Sequence, residues 1–190
     1  MEFVSESEVN EVLSSQGIEH DPRGDEKIFL KMNAGDEHVR LHLSTAESPV
    51  EPADGATVIS VEMERLPQVI EHIIHLLHMD QILLVPVGKW RKVFDAVAFS
   101  LAENEDWQEI DAAATVELNT RDPLLCEPQD FHTLIALIGA LMNDADSEGQ
   151  GMLMISPAAP ILIEVNPAGA IRIDLGNQVL ADELEDAFVR

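Results

Sequence analysis

Residues Ala56 to Glu103 read ATVISVEMERLPQVIEHIIHLLHMDQILLVPVGKWRKVFDAVAFSLAE, and the spacing of apolar residues along them decides the fold. Thr57, Ile59, Val61 and Met63 alternate with Val58, Ser60 and Glu62, which is the period of a half-buried strand. From Leu66 to Met79 the period lengthens. Leu66, Val69, Ile70, Ile73, Ile74 and Leu77 recur at steps of three and four, the pattern of a helix laid on a sheet. Only Asp80 and Gln81 separate that helix from Ile82-Leu83-Leu84-Val85, the longest unbroken run of branched aliphatics. Such a run predicts a central strand covered on both faces. Pro86 has no N–H to give a ladder, so pairing should weaken there. Gly88 then opens a further helix over 89–103, with Trp90, Val93, Phe94, Val97 and Leu101 as its stripe. Phe99 lies off that stripe and is either wrapped by a neighbouring element or presented to a partner.

Upstream, Ser5 and Glu8 have the spacing of a capping box for a helix over 5–16, and Val4 and Val9 that of a hydrophobic staple. Gly17 is its expected left-handed stop. Asp21-Pro22-Arg23-Gly24 reads as a turn. Lys27–Met32 and His38–Leu43 read as a hairpin around Asn33-Ala34-Gly35-Asp36, with Val39, Leu41 and Leu43 inward and His38, Arg40 and His42 outward. Residues 45–55 form a loop. Downstream, Ala114, Val116 and Leu118 alternate as a strand. The helix over 129–142 is apolar nearly all round, which places it inside the fold or in an interface between chains. Met152–Ile155 is a continuously apolar strand. Ile161, Ile163 and Val165, then Ile171 and Ile173, alternate on either side of the turn Asn166-Pro167-Ala168-Gly169, and a last helix starts near Gln178.

These elements define an α+β chain. A single compact domain over 1–190 carries a mainly antiparallel sheet of about seven to eight strands and four or five helices. Strand–helix–strand occurs at 56–87 and again at 113–155. Helix, three strands, helix fits 6–79 and 129–188. A pseudo-duplication into halves 1–87 and 105–190, joined by the helix over 89–103, is therefore one reading of the order. That order, with the acidity, resembles the small acidic chaperones of type III secretion, in element order and composition alone.

The chain of 190 residues has 36 acids against 11 Lys and Arg, a net charge of −25, and 46% apolar residues. Phosphate neutralisation dominates nucleic-acid affinity, so this charge argues against a nucleic-acid partner. It argues equally against anionic membrane surfaces. It suits solubility, which is the blander and preferred reading, and it suits capture of a protein partner, a basic one above all, drawn in by the field. Cys126 is the one cysteine, so no intrachain disulfide forms. The first residues lack a signal-peptide pattern and no run is long enough to span a bilayer, so the expected compartment is the cytoplasm.

Four patterns could carry chemistry. His72, His75 and His78 step along one side of the second helix and could share a zinc or copper ion, although the spacing and the Glu of a zincin are missing. A solvated, polar helix face is the preferred reading of the three. Gly88-Lys89-Trp90-Arg91-Lys92 concentrates bases where a strand gives way to a helix, so Lys89, Trp90, Arg91 and Lys92 are candidates to hold an anion. Pairing with the chain's own acids is the bland alternative. Asp144, Asp146 and Glu148 echo the start of a calcium loop, but Ile155 stands where its bidentate Glu belongs. Phe99, Ala136, Gly139 and Ala140 could form an interface between two copies, the small residues allowing close approach. No catalytic signature and no cofactor loop is present. The expectation is an interaction or adaptor module, homodimeric and non-enzymatic. The alternative is an anion- or metal-binding protein, an enzyme included, working through the histidine face or the Lys89–Lys92 turn.

Overall fold

The computed structural model describes residues 1–20, 30–33, 35, 38–45, 56–87, 101–105, 107–108, 112, 123–144, 151–166 and 170–189. The strands are β1 (Glu2–Phe3), β2 (Ile18–His20), β3 (Leu30–Met32), β4 (Val39–Ser44), β5 (Thr57–Ser60), β6 (Ile82–Val87), β7 (Leu124–Cys126), β8 (Gly151–Ile155), β9 (Ile161–Asn166) and β10 (Ala170–Leu175). The α-helices are α1 (Glu6–Ser15), α2 (Leu66–Leu76), α3 (Phe131–Asp144) and α4 (Gln178–Val189). Eight strands form one sheet in the order β1-β7-β6-β8-β9-β10-β4-β5, and β2 pairs with β3 in a small second sheet. Among the described residues, every pair is antiparallel except β4 with β5. The chain is thus α+β with a mostly antiparallel sheet.

The sheet is covered on both faces. On one side Ile82 and Leu84 of β6, Met152 and Met154 of β8, Ile161, Ile163 and Val165 of β9, and Ile171 and Ile173 of β10 meet α2, α3 and α4 in the larger core. On the other side Leu83, Val85, Leu153, Ile155 and Leu162 meet Val9 and Leu13 of α1, Ile18 of β2, and Leu30 and Met32 of β3. β6 and β8 therefore need apolar residues at successive positions, whereas β9 and β10 alternate. The smaller layer lies over β6, β8 and β9. Past it, β9 switches to Glu164, half-buried, and β10 to Arg172 and Asp174.

The expected hairpin of residues 27–32 with 38–43 does not form. β3 pairs with β2, and β4 pairs with β10 and β5. The reason is burial. Leu30 and Met32 belong to the smaller core, Leu41 and Leu43 to the larger one, on opposite faces of the sheet. Gly17, at φ +64°, turns the chain from α1 straight into β2. The two echoed stretches are also built differently. In 129–188 the strands β8, β9 and β10 form one antiparallel meander, while 6–79 divides its strands between two sheets. The predicted helix over 89–103 falls mostly, and the strand over 114–118 wholly, outside the described residues.

Local chemistry fixes the helix ends. Ser5 and Glu8 close the capping box at α1, with the Ser5 N–H donating to Glu8 Oε2 at 2.9 Å and the Glu8 N–H to Ser5 Oγ at 3.4 Å. α2 ends in a Schellman motif. The His78 N–H donates to the His75 carbonyl (3.2 Å) and the Met79 N–H to the Ile74 carbonyl (3.0 Å), with His78 left-handed at φ +50°. Met79 is buried and anchors the turn. Among the described residues no helix is long and apolar enough to cross a membrane.

Candidate functional site

The most unusual chemistry lies where β4, β10 and β9 run side by side. Register sets it. Arg40 of β4 stands opposite Asp174 of β10, His42 opposite Arg172, and Arg172 in turn opposite Glu164 of β9. Leu41, Leu43, Ile171 and Ile173 on the same strands face the larger core, so strand alternation turns this polar set to the other face. Asp174 is 0% exposed. Its Oδ1 accepts from Arg40 Nε at 2.7 Å and from His38 Nε2 at 2.8 Å. A carboxylate only accepts, so Nε2 of His38 carries the proton. Arg172 donates Nη2–H to the Leu30 carbonyl at 3.2 Å and pairs Nη1 with Glu164 Oε2 at 2.8 Å. Its Nε lies 2.8 Å from Asp174 Oδ2, but the N–H is not aimed along that line, and both atoms lack a hydrogen-bond partner.

Burial pushes the Asp174 carboxyl up. The hydrogen bonds from Arg40 and His38 and the charges of Arg172 and Arg40 outweigh burial and hold it below the ordinary carboxylate range. His42, on the same face, is lowered first by burial, then by the charges of Arg40 and Arg172, against the weaker pull of Asp174 and Glu164. The arrangement fixes the tautomer of His38, holds two guanidinium groups across adjacent strands, and keeps His42 inclined to its neutral form.

In the sequence His38, Arg40 and His42 read only as outward-facing residues, and no local motif marks Glu164, Arg172 and Asp174. The available signal was that the last two strands, either side of one turn, carry charges at positions where their neighbours are apolar.

His72 and His75 lie on α2 and are exposed, while the left-handed His78 turns off the helix, so the three do not form a continuing row. The His72 ring meets the Phe188 ring of α4 edge-on, 6.1 Å between centres. Among the described residues no three His, Cys, Asp or Glu side chains gather in metal-binding geometry. Lys89, Trp90, Arg91, Lys92 and Phe99 lie outside the described residues, as do residues 145–150 of the calcium-like segment. Ala140 is buried, and Ala136 and Gly139 are half-buried. Gly139 faces α2, where a Cβ on it would stand 3.8 Å from Pro67 Cγ. Cys126 is buried, and its thiol is pushed up to about 12 by burial and the nearby Asp130 charge.

Comparison of the chain with protein-family models, curated proteins and solved structures finds no match.

Proposed function

We propose that this protein is a non-enzymatic, chaperone-like interaction module that captures a basic protein partner through its acidic exterior. One observation carries the reading. Arg40 and Arg172 are turned onto the chain's own Asp174 and Glu164, while Glu6, Glu8 and Glu11 of α1 and Asp182 and Glu183 of α4 stand exposed. With 36 acids against 11 bases, the cations drawn onto these strands leave the outward field to the acids. On α4 the acids flank Val179, which is 63% exposed and the one exposed large hydrophobic among the described residues. A segment with Lys and Arg around an apolar anchor matches that surface. Pairing of two copies belongs to the same reading and is read by light scattering.

The test is a fluorescence-anisotropy titration of a labelled amphipathic Lys/Arg peptide, with poly-glutamate of matched charge as the control polyanion. The expected result is saturable one-to-one binding, tighter than to poly-glutamate, that weakens roughly tenfold or more between about 50 and 300 mM salt. Binding no tighter than to poly-glutamate contradicts the proposal.

A further inference from the structure

The polar face of β4, β10 and β9 is more than an internal ion network. We propose that Arg40, His42 and Arg172 form a binding site for one small oxyanion, a phosphate or a carboxylate. Three observations support it, independently of the acidic exterior.

The first is geometry. His42 and Arg172 are direct cross-strand neighbours, and Arg40 is two residues from His42 on the same side of β4. Direct neighbours on one sheet face stand roughly 5 Å apart and diagonal ones roughly 7 Å, a span one oxyanion bridges. The second is access. The side chain of Arg40 is 37% exposed and that of Arg172 22% exposed, and His42 is half-buried. Among the described residues, α1, β2 and β3 pack on β6, β8 and β9 instead, and Leu30 of β3 accepts from Arg172 at the edge of this face.

The third is that the network is left open. Asp174 is fully buried, yet its Oδ2 accepts no hydrogen bond, and the Arg172 Nε–H beside it finds no acceptor. A guanidinium that turns to meet an incoming oxyanion gives up no hydrogen bond at Nε and exchanges its 2.8 Å ion pair with Asp174 for one with the anion. Among the described residues, Arg40 uses Nε alone, on Asp174 Oδ1. The local field points the same way. In a chain of net charge −25, the two arginines outweigh Asp174 and Glu164 at His42. The charged groups that act on His42 are Arg40 on β4, Arg172 and Asp174 on β10, and Glu164 on β9. β5 brings Val58 opposite His42 and adds no charge there.

The consequence is linkage. An anion seated against His42 favours its protonated form, so binding tightens as pH falls through the titration of that imidazole. If the anion raises the His42 value by about one unit, affinity rises about tenfold between the neutral and protonated states.

The experiment follows the histidine side-chain resonances of isotopically labelled full-length protein during titration with inorganic phosphate and with acetate, at constant ionic strength against chloride. The expected result is a saturable shift of the His42 resonances with phosphate or acetate and not with chloride. The His42 titration midpoint should rise, and His72 and His75 should not respond. Phosphate alone or acetate alone giving the shift identifies which oxyanion the site takes. His42→Gln should remove the pH dependence of binding, and Arg40→Lys should weaken binding while the spectrum stays folded. Equal shifts with chloride, no saturation with either oxyanion, or undiminished binding in Arg40→Lys overturns the proposal.

Discussion

Asp174 shows how one residue organises its surroundings. A buried carboxylate is stable only when donors replace its water, and His38 and Arg40 do so at one oxygen. Asp174→Asn strands Arg40 and Arg172 beside a neutral amide and should cost about 3 kcal/mol at pH 7, read as a lower urea midpoint. The carboxyl is held below its ordinary value, so its contribution is fully present above the unfolded value near 4 and is lost as pH falls through the lower folded value. The gap between wild type and Asp174→Asn should therefore narrow as pH is taken from 7 to about 2.5. An unchanged gap rules out carboxylate pairing as its cause. His42 has the opposite sense. Its folded value is depressed, so the unfolded chain takes up the proton first and stability drops as pH falls below about 6.5. His42→Gln should flatten that part of the pH profile. Cys126, buried and raised to about 12, should resist a thiol reagent at pH 8 until denaturant exposes it. At this scale the sequence was only partly legible. Ser5 and Glu8 announce their cap because the partners lie three residues apart, whereas Asp174 finds His38 and Arg40 from the far end of the chain.

At the scale of elements, two substitutions test whether local rules explain local structure. His78 occupies the left-handed position of the motif that ends α2, a place glycine takes without strain. His78→Gly should stabilise the fold by about 1 kcal/mol, seen as a raised melting temperature. Gly139 sits inside α3 with ordinary contact room at 3.8 Å from Pro67, so Gly139→Ala should also stabilise, by about 0.5–1 kcal/mol. A fall in melting temperature for either contradicts the geometry described. Helices and strands with unbroken periods were readable from the residues, among them α2, α3, β6, β8 and the β9–β10 pair. The hairpin expected from residues 27–43 was not. Period alone shows that Leu30 and Leu41 are both buried, but not that they are buried on opposite faces of one sheet. Partner choice for β4 rests on β10, more than a hundred residues on, and no local pattern carries that information.

For the whole molecule, the dominant fact is charge. A chain at −25 repels itself when folded, so stability should rise as salt increases from about 0.02 to about 0.3 M and the screening length falls from roughly 20 to roughly 6 Å. A fall in the urea midpoint over that range would mean that the ion pairs around Asp174 and Glu164 outweigh the general repulsion. The same charge underlies the proposed capture of a basic partner, and here a folded surface must do more than a flexible polyanion. The measurement that asks this most directly is a backbone amide chemical-shift map of the full chain during titration with the Lys/Arg peptide. Capture by a folded surface gives shifts gathered on one contiguous face, centred on Val179, Asp182, Glu183 and Asp186 of α4, that saturate together. Small shifts scattered over α1, α4 and every other acidic stretch, with no common saturation, would contradict it.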